Sequence, residues 1–488
     1  MAGHLEGVSG FEQPGDLIAI EAGSNTLVAR VETLSFAEPR ELHNRGKQSG
    51  TSHPLRQLRA QVIGLLSRID EKLRFSPQTT RLPALGAQVY PLSGSELKAA
   101  LNASDDDAAT VYVGNEARNP SLRVRANLDD LLTRHMVVLG ATGQGKTHFV
   151  ADVLQQIAEV GKKARVVIFD VNGEYYKAFR HLGDQARYTA LGNTNGRCAP
   201  EGSRPFKIPY FALGRQGIFR LLLPSDKTQA PALRFALEHL AYIEGDANGA
   251  RPFGAAQNVL FDDGRSGDAG PAHTAIERVK QKIQPANRWP HMRGLGCLCA
   301  ESFAIKQANN RSYARDGFLY GNIQPLITRI NTLILDSQFQ AVVDVSGGTY
   351  ANDVGRDLGA ESKALIDDLF GAPSFQENDW RVHVIDLSQL AQDLMPFILG
   401  ALLEQFSEQL FRRGANATHP TLLVLEEAHH YLRQPPGDSE TGSNTLAYER
   451  LAKEGRKFGL SLLVSTQRPA ELSPTVLPCP CLVAHVSS

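Results

Sequence analysis

Residues 140–147 contain a glycine, four intervening residues and then Gly-Lys-Thr, which is the spacing of a phosphate-binding loop. Glycines let backbone N–H groups curl around an anionic phosphate chain, Lys146 can reach the β- and γ-phosphates, and the Thr147 hydroxyl can ligate Mg²⁺. The apolar run at 135–139 predicts a buried strand before the loop, and apolar residues at helical spacing after Thr147 predict a helix that ends at Gly161. Phosphate is favoured at such a helix N-terminus. We therefore assign nucleotide binding to Gly140, Ala141, Thr142, Gly143, Gln144, Gly145, Lys146, Thr147 and His148.

Two adjacent acids, Glu426 and Glu427, follow the apolar run 421–425. A phosphoryl-transfer site of this kind needs one acid to support Mg²⁺ and another to polarise the attacking water. Because successive side chains at a strand end diverge, Glu426 could serve the metal and Glu427 the water, on a strand expected beside that of the phosphate loop. The alternative is a solvated strand end with capping acids. The following His429 and His430 suit structural or contact roles better than metal binding.

Three further residues lie near the ends of predicted strands. Asp170 closes the run 166–170 and could join the Mg²⁺–water network, since ligands bind at the carboxyl ends of parallel strands. Gln467 follows the run 460–465 and could sense the γ-phosphate, although a plain polar strand end explains it as well. Arg456 precedes that run and could act as an arginine finger on a neighbouring subunit's nucleotide. Its alternative is a surface arginine near a helix C-terminus.

These residues require an α/β core to position them. From about Leu128, buried strands alternate with amphipathic helices, which predicts a parallel sheet. The predicted strands are 135–139, 166–170, 381–387, 421–425 and 460–465, and a long crossover helix is predicted at 395–413. A stretch between the second and third strands breaks this rhythm and predicts a mainly helical insertion, with helices at 230–243, 272–284 and 321–336.

The N-terminal region has a different pattern. Apolar residues alternate with polar ones around 27–31, 85–89 and 111–113, between polar or Gly/Pro-containing stretches. This predicts a small β-domain, barrel or sandwich. The segment from Leu58 to Leu73 has helical spacing and predicts an inserted helix.

Composition restricts the class of protein. The chain has 488 residues, 42% of them hydrophobic, and a net charge of −1, which suits a globular protein of about three domains. Its five cysteines favour a reducing, cytoplasmic compartment, and Cys297 and Cys299 suit structural thiols better than a metal or redox site. No signal peptide or membrane span is predicted. Any basic surface for nucleic acid must be local.

The ordered motifs resemble the HerA branch of the HerA/FtsK motor ATPases. The resemblance rests on five segments spread over nearly the whole chain: Leu132–Thr147, Asp170–Tyr175, Glu426–His429, Glu454–Gly459 and Ser465–Pro469. It implies a small β-barrel at 1–118, a RecA-like P-loop NTPase core at 119–204 and 381–488, and the helical insertion at 205–380.

The same resemblance implies an ATP-hydrolysing DNA translocase or helicase that uses ATP and Mg²⁺. Such a motor works as a homo-hexamer on duplex DNA, with a nuclease or Sir2-like effector, in DNA repair or antiviral defence. By position, Lys146 and Thr147 hold phosphate and Mg²⁺, Glu426 supports the metal and Glu427 polarises water. Gln467 senses the γ-phosphate and Arg456 is the finger, with Arg450 its nearest competitor.

The segment after Pro469 does not resemble the continuation of that family. Pro478 and Pro480 lie where a strand is expected to pair, and proline donates no ladder bond, so the core is expected to end early. Two alternative functions stay open, a nucleotide-gated scaffold for an effector enzyme and a secretion- or conjugation-type pump. Residues 309–315, Lys280 and Lys282 are candidate DNA-channel elements, although solvated surface explains them too.

Overall fold

The computed structural model describes residues 13–36, 56–77, 81–101, 109–115, 121–141, 143–192, 203–243, 270–282, 288–309, 312–349, 357–376, 379–415, 419–432, 446–472 and 482–485. The chain divides into two compact units, Met1–Leu128 and Asp129–Ser488. None of the helices in the described ranges is long and apolar enough to cross a membrane.

The first unit is built on an antiparallel sheet. Its elements are β1 (Leu17–Ala22), β2 (Asn25–Phe36), β3 (Arg56–Ile69), β4 (Lys72–Ser76), β5 (Val89–Pro91), α1 (Gly94–Ala100), β6 (Thr110–Asn115) and β7 (Arg123–Asn127). Five strands pair in the order β4-β3-β2-β1-β5, and β6 and β7 form a separate hairpin. Ile18, Ala29 and Val31 form a buried cluster between the strands.

The predicted β-domain is confirmed in part. The strands expected around 27–31 and 111–113 are present, whereas the described strands form an open order with β4 and β5 at its ends, so the barrel is not confirmed. The helix predicted from Leu58 to Leu73 is wrong, because β3 occupies that segment. Apolar and small residues there also recur at every second position, and pairing with β2 selects this strand period. The strand expected at 85–89 begins only at Val89, and Leu85 is exposed.

The second unit contains the α/β core and a long insertion. In chain order its elements are α2 (Leu128–Thr133), β8 (Met136–Leu139), α3 (Lys146–Val160), β9 (Arg165–Asp170), β10 (Ala186–Leu191), β11 (Arg204–Phe206), β12 (Ile208–Pro209), α4 (Gly214–Leu222), α5 (Gln229–His239), α6 (Gly270–Lys280), β13 (Arg288–Trp289), α7 (Arg293–Ala304), β14 (Ile305–Asn309), β15 (Ser312–Arg315), α8 (Gly317–Leu335), α9 (Ser337–Val342), β16 (Val343–Asp344), β17 (Gly348–Thr349), α10 (Leu358–Phe370), β18 (Val382–Asp386), α11 (Met395–Arg413), β19 (Thr421–Leu425), α12 (Leu446–Glu454), β20 (Leu460–Thr466) and β21 (Leu482–His485).

An eight-stranded sheet runs through this unit in the order β11-β10-β18-β9-β19-β20-β8-β21, and every pair of neighbouring strands is parallel. Every residue of β9 and β20 is buried, as expected of a parallel sheet covered on both faces. The five predicted core strands are confirmed, and β10 and β11 extend the sheet beyond them. This α/β architecture is consistent with a RecA-like P-loop core.

Two expectations about strand placement are wrong. The acid-bearing strand β19 does not adjoin the phosphate-loop strand β8, because β20 lies between them. A paired strand also follows the prolines: β21 pairs with β8 from Leu482 to His485. Pro478 and Pro480 themselves lie outside the described residues, and the four residues of the strand can donate ladder bonds that proline cannot.

The segment between β11 and β18 is mainly helical, with α4 to α10 and three two-stranded ladders. The three helices predicted there are present with shifted ends, and their apolar faces share one large hydrophobic cluster with the sheet. Cys297 and Cys299 are buried on α7, and burial raises the pKa of the Cys299 thiol. A buried, protonated thiol suits the structural interpretation.

Replacement of Leu423 by Ala should destabilise the second unit. Leu423 is fully buried in β19, between β9 and β20, so truncation leaves a cavity in the sheet's core. The free energy of unfolding should fall by about 2–5 kcal/mol, measured by chemical denaturation. Leu335→Ala is the matched control, because that side chain is 75% exposed, and it should change stability by less than ~0.5 kcal/mol. Equal effects of the two substitutions would contradict this placement.

Candidate active site

The phosphate loop connects β8 to α3. Gly143 and Gly145 have φ of 82° and 78°, in the left-handed region that favours glycine. Chain neighbours aside, a Cβ at either position would meet no atom of the described residues within 4 Å, so this part of the structure leaves open space in front of the loop. The loop is braced from within, since the Ala141 N–H donates to Gln144 Oε1 at 3.0 Å. Thr142 lies outside the described residues.

Lys146, the first residue of α3, joins this loop to the acids after β19. Its Nζ donates to Glu427 Oε1 at 2.9 Å, and the side chains are only 6% and 14% exposed. The strands that carry them are two places apart in the sheet, which is about 10 Å. Two long side chains can bridge that gap over the end of β20. The structure thus brings together the two groups expected to hold phosphate and polarise water.

Glu427 has an unusual backbone conformation. Its φ of 43° and ψ of 45° are left-handed, which is uncommon and strained for a residue with a side chain. The Glu427 N–H donates to Glu426 Oε2 at 3.2 Å, so the two acids are connected at this turn. Such strain persists only where surrounding contacts enforce it, and it clusters at functional sites.

Glu426 is 3% exposed and is held by two tyrosines. The Tyr175 hydroxyl donates to Glu426 Oε1 at 2.7 Å, and the Tyr431 hydroxyl donates to the Glu426 main-chain oxygen at 3.1 Å. Each carboxylate oxygen therefore already accepts one bond from the protein. This suits an acid that orients the turn, and its direct ligation of Mg²⁺ stays a prediction.

Asp170, at the end of β9, also uses its oxygens internally. They accept the N–H groups of Gly173, Glu174 and Tyr175 at 2.8, 3.1 and 2.9 Å. Burial raises the pKa of this carboxyl to about 6, against the opposing effect of these bonds. Asp170 thus builds the turn that presents Tyr175 to Glu426. Its predicted place in a Mg²⁺ network stays a prediction.

His429 lies on the other side of Glu427, in a short 3₁₀ turn at Ala428–His430. Its Nδ1 is 3.3 Å from Glu427 Oε2 and 3.3 Å from Thr466 Oγ1, at the end of β20. Glu427 Oε2 is buried and accepts no hydrogen bond from the described residues. Burial lowers the pKa of His429, so the ring is neutral near pH 7.

The remaining predicted residues lie at two different edges of the sheet. Gln467 is exposed directly after β20, whose end lies between the phosphate loop and the acids. Arg456 lies at the opposite edge, where strands begin, and its Nε donates to Thr133 O at 2.8 Å. Arg450, also exposed, lies over the Phe411 ring at 4.3 Å. Neither arginine is therefore near the phosphate loop of its own chain.

Sequence reasoning missed the roles of Tyr175, Tyr431 and Thr466. The signal for Tyr175 was available, because a tyrosine predicted to be buried needs a partner for its hydroxyl. Which acid it contacts depends on β9 and β19 being neighbours, and this pairing is not apparent from either segment alone.

Tyr175→Phe should destabilise the protein by about 1–3 kcal/mol, because a buried carboxylate oxygen loses its donor. Chemical denaturation measures the change. Tyr176→Phe is the matched control: this neighbour is half-buried, its ring contacts Lys177 and Arg180, and the substitution should have little effect. Equal free energies of unfolding for the two variants would show that the Tyr175 hydrogen bond does not contribute to stability.

Comparisons with known proteins agree with these motifs. A family model described as the central domain of helicase HerA matches residues 111–285. The DNA double-strand break repair helicase HerA of Sulfolobus acidocaldarius is 23% identical over 401 residues, covering 79% of this chain and 62% of that protein. The HerA of Sulfurisphaera tokodaii is 23% identical over 448 residues, covering 90% of this chain and 69% of that protein.

The chain thus spans slightly less than two thirds of the length of the first relative and slightly more than two thirds of the length of the second. Among solved structures, VirB4 of Thermoanaerobacter pseudethanolicus aligns with a TM-score of 0.43 and 17% identity, over 78% of this chain and 85% of that one. Residues 111–285 thus match the central domain of helicase HerA, and most of the chain is similar to HerA helicases at about 23% identity.

Proposed function

We propose that this chain is an ATP-hydrolysing DNA translocase of the HerA type, acting as a homo-hexameric ring on duplex DNA. The single observation that carries the proposal is the 2.9 Å contact between Lys146 and Glu427. It joins a phosphate-binding group to an acid across an intervening strand, at the carboxyl edge of a parallel sheet, where such sheets bind ligands.

The site suits hydrolysis of a nucleoside triphosphate. The open glycine loop and the first turn of α3 offer backbone donors to phosphate oxygens, and Lys146 adds positive charge. When Lys146 turns to the phosphates, the Glu427 carboxylate is released to polarise the attacking water. The position of Gln467 directly after β20, the strand beside β8, supports a role in responding to the γ-phosphate.

The residues also fit Mg²⁺ bound together with the nucleotide. In the part of the chain that the structure describes, no group of three or more His, Cys, Asp and Glu side chains forms a metal site. Mg²⁺ commonly keeps water and phosphate ligands beside one or two protein oxygens. Thr147 would supply a hydroxyl ligand and Glu426 would support the ion through water, and the chemistry supplied would be neutralisation of charge that develops on the phosphates.

An inter-subunit role for Arg456 is supported by its position. The side chain is exposed at the end of the sheet where the strands begin, away from its own phosphate loop. Its Nε donates to Thr133 O, and this bond anchors the guanidinium. A finger with this placement serves a neighbouring copy. Arg450 is engaged by an aromatic ring instead.

Duplex DNA and an effector partner rest on the family relationship. The two relatives described above are named DNA double-strand break repair helicases. We extend that role to this chain, with a nuclease or Sir2-like effector in repair or antiviral defence. A DNA-independent hydrolysis rate in an assembled ring would argue against the DNA role.

Glu427→Gln should slow ATP hydrolysis by about 100- to 10,000-fold, because an amide cannot accept the proton of the attacking water. ATP binding should persist, since the amide oxygen can still meet Lys146 and the phosphate loop is unchanged. Steady-state hydrolysis and equilibrium binding of a fluorescent ATP analogue measure the two effects. An unchanged hydrolysis rate would reassign the water-polarising role.

Mixing two inactive variants tests the inter-subunit site. Lys146→Ala lacks the phosphate-binding group and Arg456→Ala lacks the finger, and each alone should hydrolyse ATP at least ~100-fold more slowly than wild type. Mixed rings contain some interfaces with both groups intact, so mixing should restore part of the rate. Arg450→Ala is the control and should retain most activity. No recovery in mixed rings of confirmed composition would contradict a finger in trans.

A further inference from the structure

We propose that His429 is a positioning residue for Glu427, which holds the carboxylate after Lys146 has turned to the nucleotide; the inference rests on the proposed ATP hydrolysis. The starting observation is the unequal environment of the two Glu427 oxygens. Oε1 accepts a bond from Lys146, whereas Oε2 is buried and accepts none from the described residues. A buried acceptor of this kind is costly unless a donor reaches it.

His429 Nδ1 is the neighbouring group that can act as this donor. It lies 3.3 Å from Glu427 Oε2, on a side chain that is 2% exposed, so the ring has little freedom to leave. Its second neighbour is Thr466 Oγ1, also at 3.3 Å, to which it is hydrogen-bonded. In the Nδ1–H form one hydrogen thus faces two acceptors at equal distance, and a good bond to one weakens the bond to the other.

Because Glu427 and Thr466 compete for the Nδ1 hydrogen of His429, two hydrogen-bond arrangements are available. While Lys146 holds Glu427 Oε1, the Nδ1–H bonds to Thr466. Once Lys146 is drawn to phosphate, Glu427 loses its donor, and the Nδ1–H moves to the carboxylate and fixes its direction toward the attacking water. Thr466 Oγ1 also accepts the Arg468 N–H at 3.0 Å, so the change reaches the segment that carries Gln467. The acid and the tip of β20 are therefore coupled through one ring nitrogen.

The variant His429→Ala should lower kcat about 10- to 100-fold while KM for ATP stays within ~3-fold, because the phosphate-binding groups are untouched. His429→Asn should restore most of kcat, since its amide N–H lies the same number of bonds from Cα as Nδ1 and can donate to Glu427. A purely structural role predicts parallel losses of kcat and thermal stability, without rescue by Asn. Thermal unfolding is therefore measured on each variant.

Two further variants complete the experiment. His430→Ala is the matched control: the next histidine is half-buried, and kcat should stay within ~2-fold of wild type. Thr466→Val removes the competing acceptor while keeping the side chain's shape, so kcat should rise about two- to fivefold, and only when His429 is present. An unchanged or lower kcat in Thr466→Val would overturn the shared-hydrogen arrangement.

The outcomes separate this inference from the proposed function. Wild-type protein that does not hydrolyse ATP overturns both. Wild-type hydrolysis that His429→Ala leaves unchanged overturns the role of His429 alone and leaves the ATPase standing. A reduced kcat that Asn rescues, together with a silent His430→Ala, supports the positioning role.

Discussion

The contact between Lys146 and Glu427 is the constraint on which the rest of the site depends. A nearly buried ammonium and a nearly buried carboxylate must remain together, because leaving either one unpaired costs about 3–5 kcal/mol. The two residues follow strands that are two places apart, so the contact ties the phosphate loop to the acid turn over the end of β20. In the proposed function, nucleotide binding exchanges this contact for another, and that exchange links binding to the release of the acid.

A second layer of contacts keeps the acids in place during such an exchange. Asp170 shapes its own loop through three backbone bonds, the loop presents Tyr175, and Tyr175 holds Glu426. Glu426 in turn accepts the N–H of Glu427, whose strained backbone is thereby supported. Each of these bonds is at least partly buried and is directional. In the proposed hydrolysis, the site could therefore release the Glu427 carboxylate and keep Glu426 fixed.

The placement of the two arginines shows how the architecture limits catalytic roles. The carboxyl ends of parallel strands all lie at the same end of the sheet. Groups at the opposite end, where the strands begin, cannot reach a nucleotide bound by the same chain. Arg456 lies at the end where the strands begin, and its side chain is hydrogen-bonded to Thr133, shortly before β8. The proposed contribution of Arg456 to catalysis therefore requires a second copy of the chain and would make hydrolysis dependent on assembly.

The sequence by itself determined the local units of this protein. The glycine loop, the strand periods at 166–170, 421–425 and 460–465, and the paired acids after β19 were all readable, because each depends on residues close in the chain. Where a segment's spacing fitted two periods, as in Arg56–Ile69, pairing with a neighbouring strand decided the outcome. That neighbouring strand lies outside the segment, so the spacing of the segment's own residues does not specify it.

Only the tertiary structure decided which of these units meet. The insertion of β20 between β8 and β19, the bond from Tyr175 to Glu426 and the hydrogen bond between His429 Nδ1 and Thr466 Oγ1 all join segments that are separated in sequence. The order of strands in a sheet depends on the burial of whole faces and on crossover connections, not on any single segment. The phosphate loop and the paired acids could therefore be named from the sequence, whereas the residues that contact them could not.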